Sequence, residues 1–229
     1  MTTGTRVAVV TGASSGIGKE VAKSLASSGW NVIGTGRDAT RIAEAAREIE
    51  AAARDGGSIA MIAADLSLMA EAQRLAKVIG GMTDRLDVLV NNAGGMTDRL
   101  VMTSEGLEAN FAGNHLGPFL LTRLLLPLLR AAAAEAPQGA TRIVMTASDA
   151  SEMLPGIDMD DIQHLACFNP GLAYCAGKLA KTCCSRAGWL RAWPAAASSP
   201  MPWRRGPPIR RSSATRPSRR RNIPATSPS

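Results

Sequence analysis

A chain of 229 residues with 45% apolar content has the length and hydrophobicity of one α/β domain with a full core. No charged-then-apolar leader precedes the first strand-like segment and no run approaches the ~20 apolar residues of a membrane span, so the expectation is a cytoplasmic protein without a membrane segment. The formal charge of +7 belongs to the C-terminus: residues 1–181 hold 16 Lys+Arg against all 19 Asp+Glu, whereas residues 182–229 hold ten arginines and no acid, so the first 181 residues carry no basic signal for nucleic acid.

Arg6-Val7-Ala8-Val9-Val10-Thr11 is a short β-branched run suited to a strand covered on both faces. It leads straight into Gly12-Ala13-Ser14-Ser15-Gly16-Ile17-Gly18, after which Ile17, Val21 and Leu25 recur at helical spacing. Strand, glycine turn and helix together predict a phosphate site: Gly12 for the tight turn, Gly16 for approach of a pyrophosphate, Gly18 for close packing of helix on strand. The helix N-terminus adds free N–H groups and positive dipole. The second strand, Asn31–Thr35, ends at Gly36-Arg37-Asp38. At that strand end an arginine accommodates a ribose 2′-phosphate and an acid accepts from a 2′-hydroxyl, so Arg37 favours NADPH while the adjoining Asp38 argues for NADH.

The Ala-rich segment 41–54 suits a surface helix, and Ser58–Ala63 a third strand. Asp65 follows, placed either to bond an adenine ring or to cap a helix beginning near Leu68. A fourth strand, Asp87–Val90, closes on Asn91-Asn92-Ala93-Gly94, small and amide residues that allow close stacking along a cofactor. The heptapeptide Gly-Gly-Met-Thr-Asp-Arg-Leu occurs at 80–86 and again at 94–100, and two copies do not make a repeat architecture. Tyr174 and Lys178 lie four apart on one helical face, where a cation favours the phenolate and brings a poor acid toward working range. The cysteines Cys167, Cys175, Cys183 and Cys184 have no metal-site spacing; reduced thiols and no metal are expected.

Thr11-Gly12-x-x-x-Gly16-Ile17-Gly18, Asp65-Leu66, Asn91-Asn92-Ala93-Gly94, Asn114-His115-Leu116-Gly117-Pro118-Phe119, the strand Arg142–Ser148 and Tyr174-x-x-x-Lys178 together resemble the short-chain dehydrogenase/reductase family over residues 6–181. The resemblance implies a Rossmann-like doubly wound parallel sheet and an NADP-dependent oxidoreductase, with NAD as second choice, acting between an alcohol and a carbonyl. Carried over by position, Tyr174 is the general acid/base, Lys178 holds the nicotinamide ribose, Ser148 bonds the substrate oxygen and Asn114 anchors a relay water. Gly12, Ser14, Ser15, Gly16, Ile17, Gly18, Arg37, Asp65, Leu66, Asn92, Ala93 and Gly94 are the implied cofactor contacts, joined by Tyr174 and Lys178. Ala147 and Gly177 depart from the family's usual serines. The 26 positions from Ser148 to Tyr174 are similar to the retinol dehydrogenase branch, which implies a bulky apolar substrate. Family members also form homo-oligomers, an expectation left open for this chain.

Residues 182–229 hold eight of the 13 prolines and no Lys, Asp or Glu, a composition lacking the pattern of strands or a packed helix. One reading is a basic tail that binds nucleic acid by counterion release. The preferred reading is a slipped coding frame. From the third base of the Lys181 codon, Thr182-Cys183-Cys184-Ser185 must read Asn or Asp, then Leu, Met or Val, then Leu, then Phe or Leu when Ser185 uses a TCN codon. The same frame across Met201–Gly206 allows Asn-Ala-Val-Ala-Pro-Gly, which resembles the family's turn after its next strand. On that reading residues 1–181 are an incomplete domain, residues 182–229 an irregular tail, and nucleic acid is not the partner. An exposed sheet edge then predicts marginal stability, and an inactive cofactor-binding remnant is the further alternative.

Overall fold

The structure, a computed structural model, describes residues 5–192, with side chains through residue 183. The β-branched and small runs of the N-terminal half form β1 (Val7–Val10), β2 (Asn31–Gly36), β3 (Ser58–Ala63), β4 (Val88–Asn91) and β5 (Arg142–Met145). All neighbouring pairs are parallel, in the order β3-β2-β1-β4-β5. Chain direction across the sheet reverses between β1 and β4, which opens a crevice beyond the carboxyl ends of those two strands.

Alternation along the strands sends Val9 and Leu89 to one face and Val10, Val32 and Val90 to the other. The first face is covered by α3 (Met69–Met82) and α5 (Gly117–Glu135), through Leu75, Ile79, Leu121, Leu125 and Leu129. The second is covered by α1 (Gly16–Ser27) and α2 (Ala39–Ala52), through Ala22, Ala26, Ala45 and Ile49. In α1 the face against the sheet is Gly18, Ala22 and Ala26, one position on from the Ile17, Val21, Leu25 stripe. Small residues let the helix approach the strands closely, and Ile17 is left 68% exposed at the crevice.

Between β4 and α5 the chain forms α4 (Ala109–Phe111) and then a π-helical turn, Ala112–Leu116, so that residues 109–135 are one continuous helical stretch. That stretch corrects the expectation of no membrane-length run, because its length and hydropathy are enough for a span. Eight residues of α5 are buried, among them Leu121, Leu125 and Leu129, which is the placement of a core helix.

The last described element, α6, runs Pro170–Ala192. It passes Lys181 by three turns, so the expectation of no helix from residue 182 onward is wrong for 182–192. The first proline of the tail is Pro194, and nothing before it removes a backbone donor or blocks the α conformation. Residues 193–229, and with them most of the expected irregular tail and the shifted-frame turn, lie outside the described residues.

Candidate functional site

The crevice encloses about 580 Å³ and is lined from three directions: the glycine turn after β1, the ends of β2 and β3, and the ends of β4 and β5 with α6. Gly12 and Gly16 take φ of +69° and +53°, the left-handed region in which a side chain is strained. A Cβ on Gly18 would run into the carbonyl oxygen of Gly12, so helix and turn meet there without room for one more carbon. Ser15 stands at the N-cap of α1 and lines the crevice but makes no side-chain cap bond, so the start of the helix has no side-chain acceptor from its own cap. The turn is tied to β4: Asn92 and Ala93 N–H both donate to Thr11 Oγ1 at 3.0 and 2.9 Å, and Asn92 Nδ2 donates to the Thr11 carbonyl at 3.0 Å. Asn92 thus spends its amide on holding the turn. Ala93 and Gly94 continue the crevice wall, and a Cβ on Gly94 would meet Asn114 Oδ1 and Lys178 Nζ.

At the end of β2, Arg37 is exposed and lines the crevice. Asp38 accepts from Arg41 N–H at 2.8 Å as the N-cap of α2, so one of its oxygens is committed to the helix. Arg41 lines the same wall, a second cation hidden in the sequence because it reads as the start of a surface helix. Asp65 accepts from Ser67 N–H and Ser67 Oγ, at 2.9 and 2.8 Å. The expectation that it caps the next helix is corrected: α3 starts at Met69, and its free N–H groups at Met69 and Ala70 are taken by Glu105, at 2.6 and 2.9 Å.

On the opposite wall Tyr174, Lys178, Ser148 and Asn114 come together. Lys178 is 4% exposed, its Nζ lies 5.5 Å from the centroid of the Tyr174 ring, and it donates to the Thr146 carbonyl at 3.2 Å. Burial pushes the Lys178 ammonium below its usual pKa. Ser148 begins the 3₁₀ turn Asp149–Met153, its Oγ accepting from Ala150 N–H at 3.2 Å and donating to Asp149 at 3.4 Å. Asn114 sits in the π-helical turn, an irregularity frequent at functional sites. Its Nδ2 donates to the carbonyls of Gly95 and Asn110, at 2.7 and 2.9 Å, and its Oδ1 accepts from Gly95 N–H at 3.2 Å. Both amide protons are therefore used within the protein. Ser14, Ser15, Ile17 and Leu66 line the crevice, whereas Gly16 and Gly18 shape the turn without being part of the lining.

Sequence reasoning missed Lys181. It is 1% exposed and donates to the Asn91 carbonyl at 2.8 Å, and burial followed by the neighbouring Lys178 charge pushes it down to about 7. Its i,i+3 spacing from Lys178 was the available signal. The repeated heptapeptide forms the same small turn twice: Thr83 Oγ1 donates to the Arg85 carbonyl and Thr97 Oγ1 to the Arg99 carbonyl, each at 2.9 Å. Only the second copy reaches the crevice, through Gly94, Gly95, Met96 and Thr97. Among the described residues no group of three His, Cys, Asp or Glu could hold a metal ion, and Cys167, Cys175 and Cys183 are free thiols.

Residues 6–157 match the family model described as short chain dehydrogenase, a match that ends before Tyr174. Human polyprenol dehydrogenase is 35% identical over 175 residues, covering 76% of this chain and 52% of the relative. Bovine retinol dehydrogenase 12 is 36% identical over 181 residues, covering 79% and 55%. The chain thus spans about half the length of the curated relatives it matches. Among solved structures, the Pseudomonas aeruginosa RhlG/NADP active-site complex superposes with a TM-score of 0.62 at 35% identity, covering 82% of this chain and 68% of that one.

Proposed function

The chain belongs to the short-chain dehydrogenase/reductase family, and from that premise we propose that it is an NADP(H)-dependent oxidoreductase interconverting an alcohol and a carbonyl. The observation that carries this is the crevice itself: one cavity is lined by the glycine turn, by Arg37 and by Tyr174, Lys178, Ser148 and Asn114. The residues fit the cofactor. The uncapped start of α1 and the open space beside Gly16 suit a pyrophosphate, and Arg37 with Arg41 suits a 2′-phosphate.

When bound, the nicotinamide supplies or accepts the hydride. A proton must then reach or leave the substrate oxygen, and the Tyr174 hydroxyl delivers it in reduction and takes it in oxidation. Lys178, held against Thr146 and close to the Tyr174 ring, keeps a positive charge where the phenolate forms. Ser148 bonds the substrate oxygen, which requires its Oγ to turn from Asp149. Asn114 fixes the loop at Gly95 and the spacing between that loop and α6.

A bulky apolar alcohol or aldehyde fits the approach to this site. Met96 lines the crevice and is exposed, and Leu100, Val101 and Met102 on the same loop, Met153 in the turn after Ser148 and Leu172 on α6 are also exposed. The names of the polyprenol and retinol relatives point the same way. A cytoplasmic setting and reduced thiols go with this reading.

The test is oxidation of NADPH by the full chain against a series of apolar aldehydes, with Tyr174→Phe as control. Turnover should fall by about 10²–10⁴-fold in the variant, with NADPH affinity unchanged. Equal turnover in both proteins sinks the assignment. The slipped frame from residue 182 is a separate proposal, decided by the nucleotide sequence. A steeply salt-dependent DNA affinity lost on truncation after Lys181 would instead restore the basic tail as a ligand-binding segment.

A further inference from the structure

The helix that carries Tyr174 and Lys178 holds a buried ammonium that the proposed chemistry does not use. Lys181 donates to the carbonyl of Asn91, the last residue of β4, at 2.8 Å. One turn earlier, Lys178 donates to the carbonyl of Thr146, the residue after β5, at 3.2 Å. The Asn91 carbonyl also accepts Thr146 N–H, at 3.1 Å, so the two lysines grip the point where the ends of β4 and β5 join. Those strand ends carry Asn92 and Ser148 into the crevice.

Apolar packing alone gives this region little definition. β5 is the edge strand of the sheet among the described residues, with alternating exposed and half-buried positions, and the buried small residues of α6, Ala173, Ala176, Gly177 and Ala180, offer few ways to interlock, Gly177 lying against Asn114 and Asn110 of the neighbouring helical stretch. A buried ammonium is different: a rotation or slide of α6 that takes it off the Asn91 carbonyl gives up a charge-assisted hydrogen bond inside the protein, where such a bond is costly to lose. We propose that Lys181 is a positioning residue: seated on the Asn91 carbonyl, it sets the rotation and depth of α6 and thereby where Tyr174 and Lys178 stand in the crevice. The proposal rests on the reading of Tyr174 and Lys178 as the reacting pair.

The groups around Lys181 define its charge. Lys178 on the same helix acts on it, His115 on the π-helical turn feels its charge, and β4 presents the Asn91 carbonyl. Burial, and then the Lys181 charge, push His115 down to about 4. The ammonium form therefore dominates below about pH 7.

The test compares the full chain with Lys181→Met, which keeps the stem and removes the ammonium, and Lys181→Arg, which keeps a cationic donor. Tyr174 is the only tyrosine and His115 is one of two histidines, so both are readable by NMR without an assay. In Lys181→Met the ring-labelled tyrosine should give broadened or multiple signals, the His115 midpoint should rise above about 4, and kcat should fall by about 10²-fold, as a displaced reacting group predicts. NADPH affinity should change only a few-fold, and Lys181→Arg should recover part of kcat. A single sharp tyrosine signal together with unchanged kcat in Lys181→Met overturns the proposal. If the parent neither binds nor oxidises NADPH, the enzyme reading falls, and the tyrosine signal alone decides the positioning role. Should Lys181→Met not fold, Lys181→Gln, too short to reach the same carbonyl, is judged by the same criteria.

Discussion

The wall of the crevice on the β1 side is main chain, whereas the wall on the β5 side is side chains. After β1, the crevice is bounded by glycines and the uncapped start of α1, on a strand buried along its whole length and flanked by β2 and β4. Beside β5, it is bounded by Ser148, Tyr174 and Lys178, on a half-exposed edge strand and a helix gripped by two buried ammonium groups. The first wall is intolerant of added atoms, because backbone cannot move aside. The second is sensitive to charge, because its position depends on groups that titrate.

That difference is sharpened most by pH. Lys181 is lowered from 10.5 to about 7 in the folded chain, so between those values the unfolded chain binds more protons and stability rises with pH. The full contribution is on the order of a few kcal/mol. It should appear as a steeper rise of Tm above pH 7 in the parent than in Lys181→Met, and equal slopes would place the ammonium in water. His115 acts in the same sense at lower pH: lowered from 6.5 to about 4, it makes stability fall as pH drops through that window, and His115→Phe should flatten the fall. The β1 wall has no titrating group to match these. There the corresponding break is steric: Gly18→Ala forces a carbon against the Gly12 carbonyl and should cost about 1–3 kcal/mol, with loss of NADPH binding read by fluorescence titration.

The same contrast explains how much was legible beforehand. The glycine turn, the first four strands and the Tyr174–Lys178 face follow from periodicity and local backbone demands, the fifth strand follows from the family resemblance, and the structure places them within a few residues of their expected bounds. Lys181 could not be placed, because its burial depends on Asn91, 90 positions away. The π-helical turn and the Glu105 cap on α3 are likewise products of tertiary contact. The repeated heptapeptide separates the two kinds of information. Its threonine turn forms in both copies, yet Leu86 is fully buried and Leu100 is 43% exposed. Hydrogen bonding within the segment followed the residues; burial followed the surroundings. The helix beyond Lys181 is hidden for another reason: the overall composition of residues 182–229 is dominated by prolines that begin only at 194.

Smaller effects test whether the β1 wall has any dependence on side-chain charge. Arg37→Ala should reduce the preference for NADPH over NADH by about tenfold, the value of one charge-assisted bond, with Arg41 retaining the remainder. An unchanged cofactor ratio would assign the 2′-phosphate to Arg41 alone. Smallest are the two caps. Asp38→Ala removes an acceptor from the N–H of Arg41, which lines the crevice, and Glu105→Ala removes one from Met69 and Ala70, which are not part of its lining. Each should cost about 1 kcal/mol by chemical denaturation. Because Asp38 positions Arg41, only its loss should also weaken NADPH binding. If Glu105→Ala weakens binding equally, the Asp38 effect is general destabilisation, and the β1 wall depends on main chain alone.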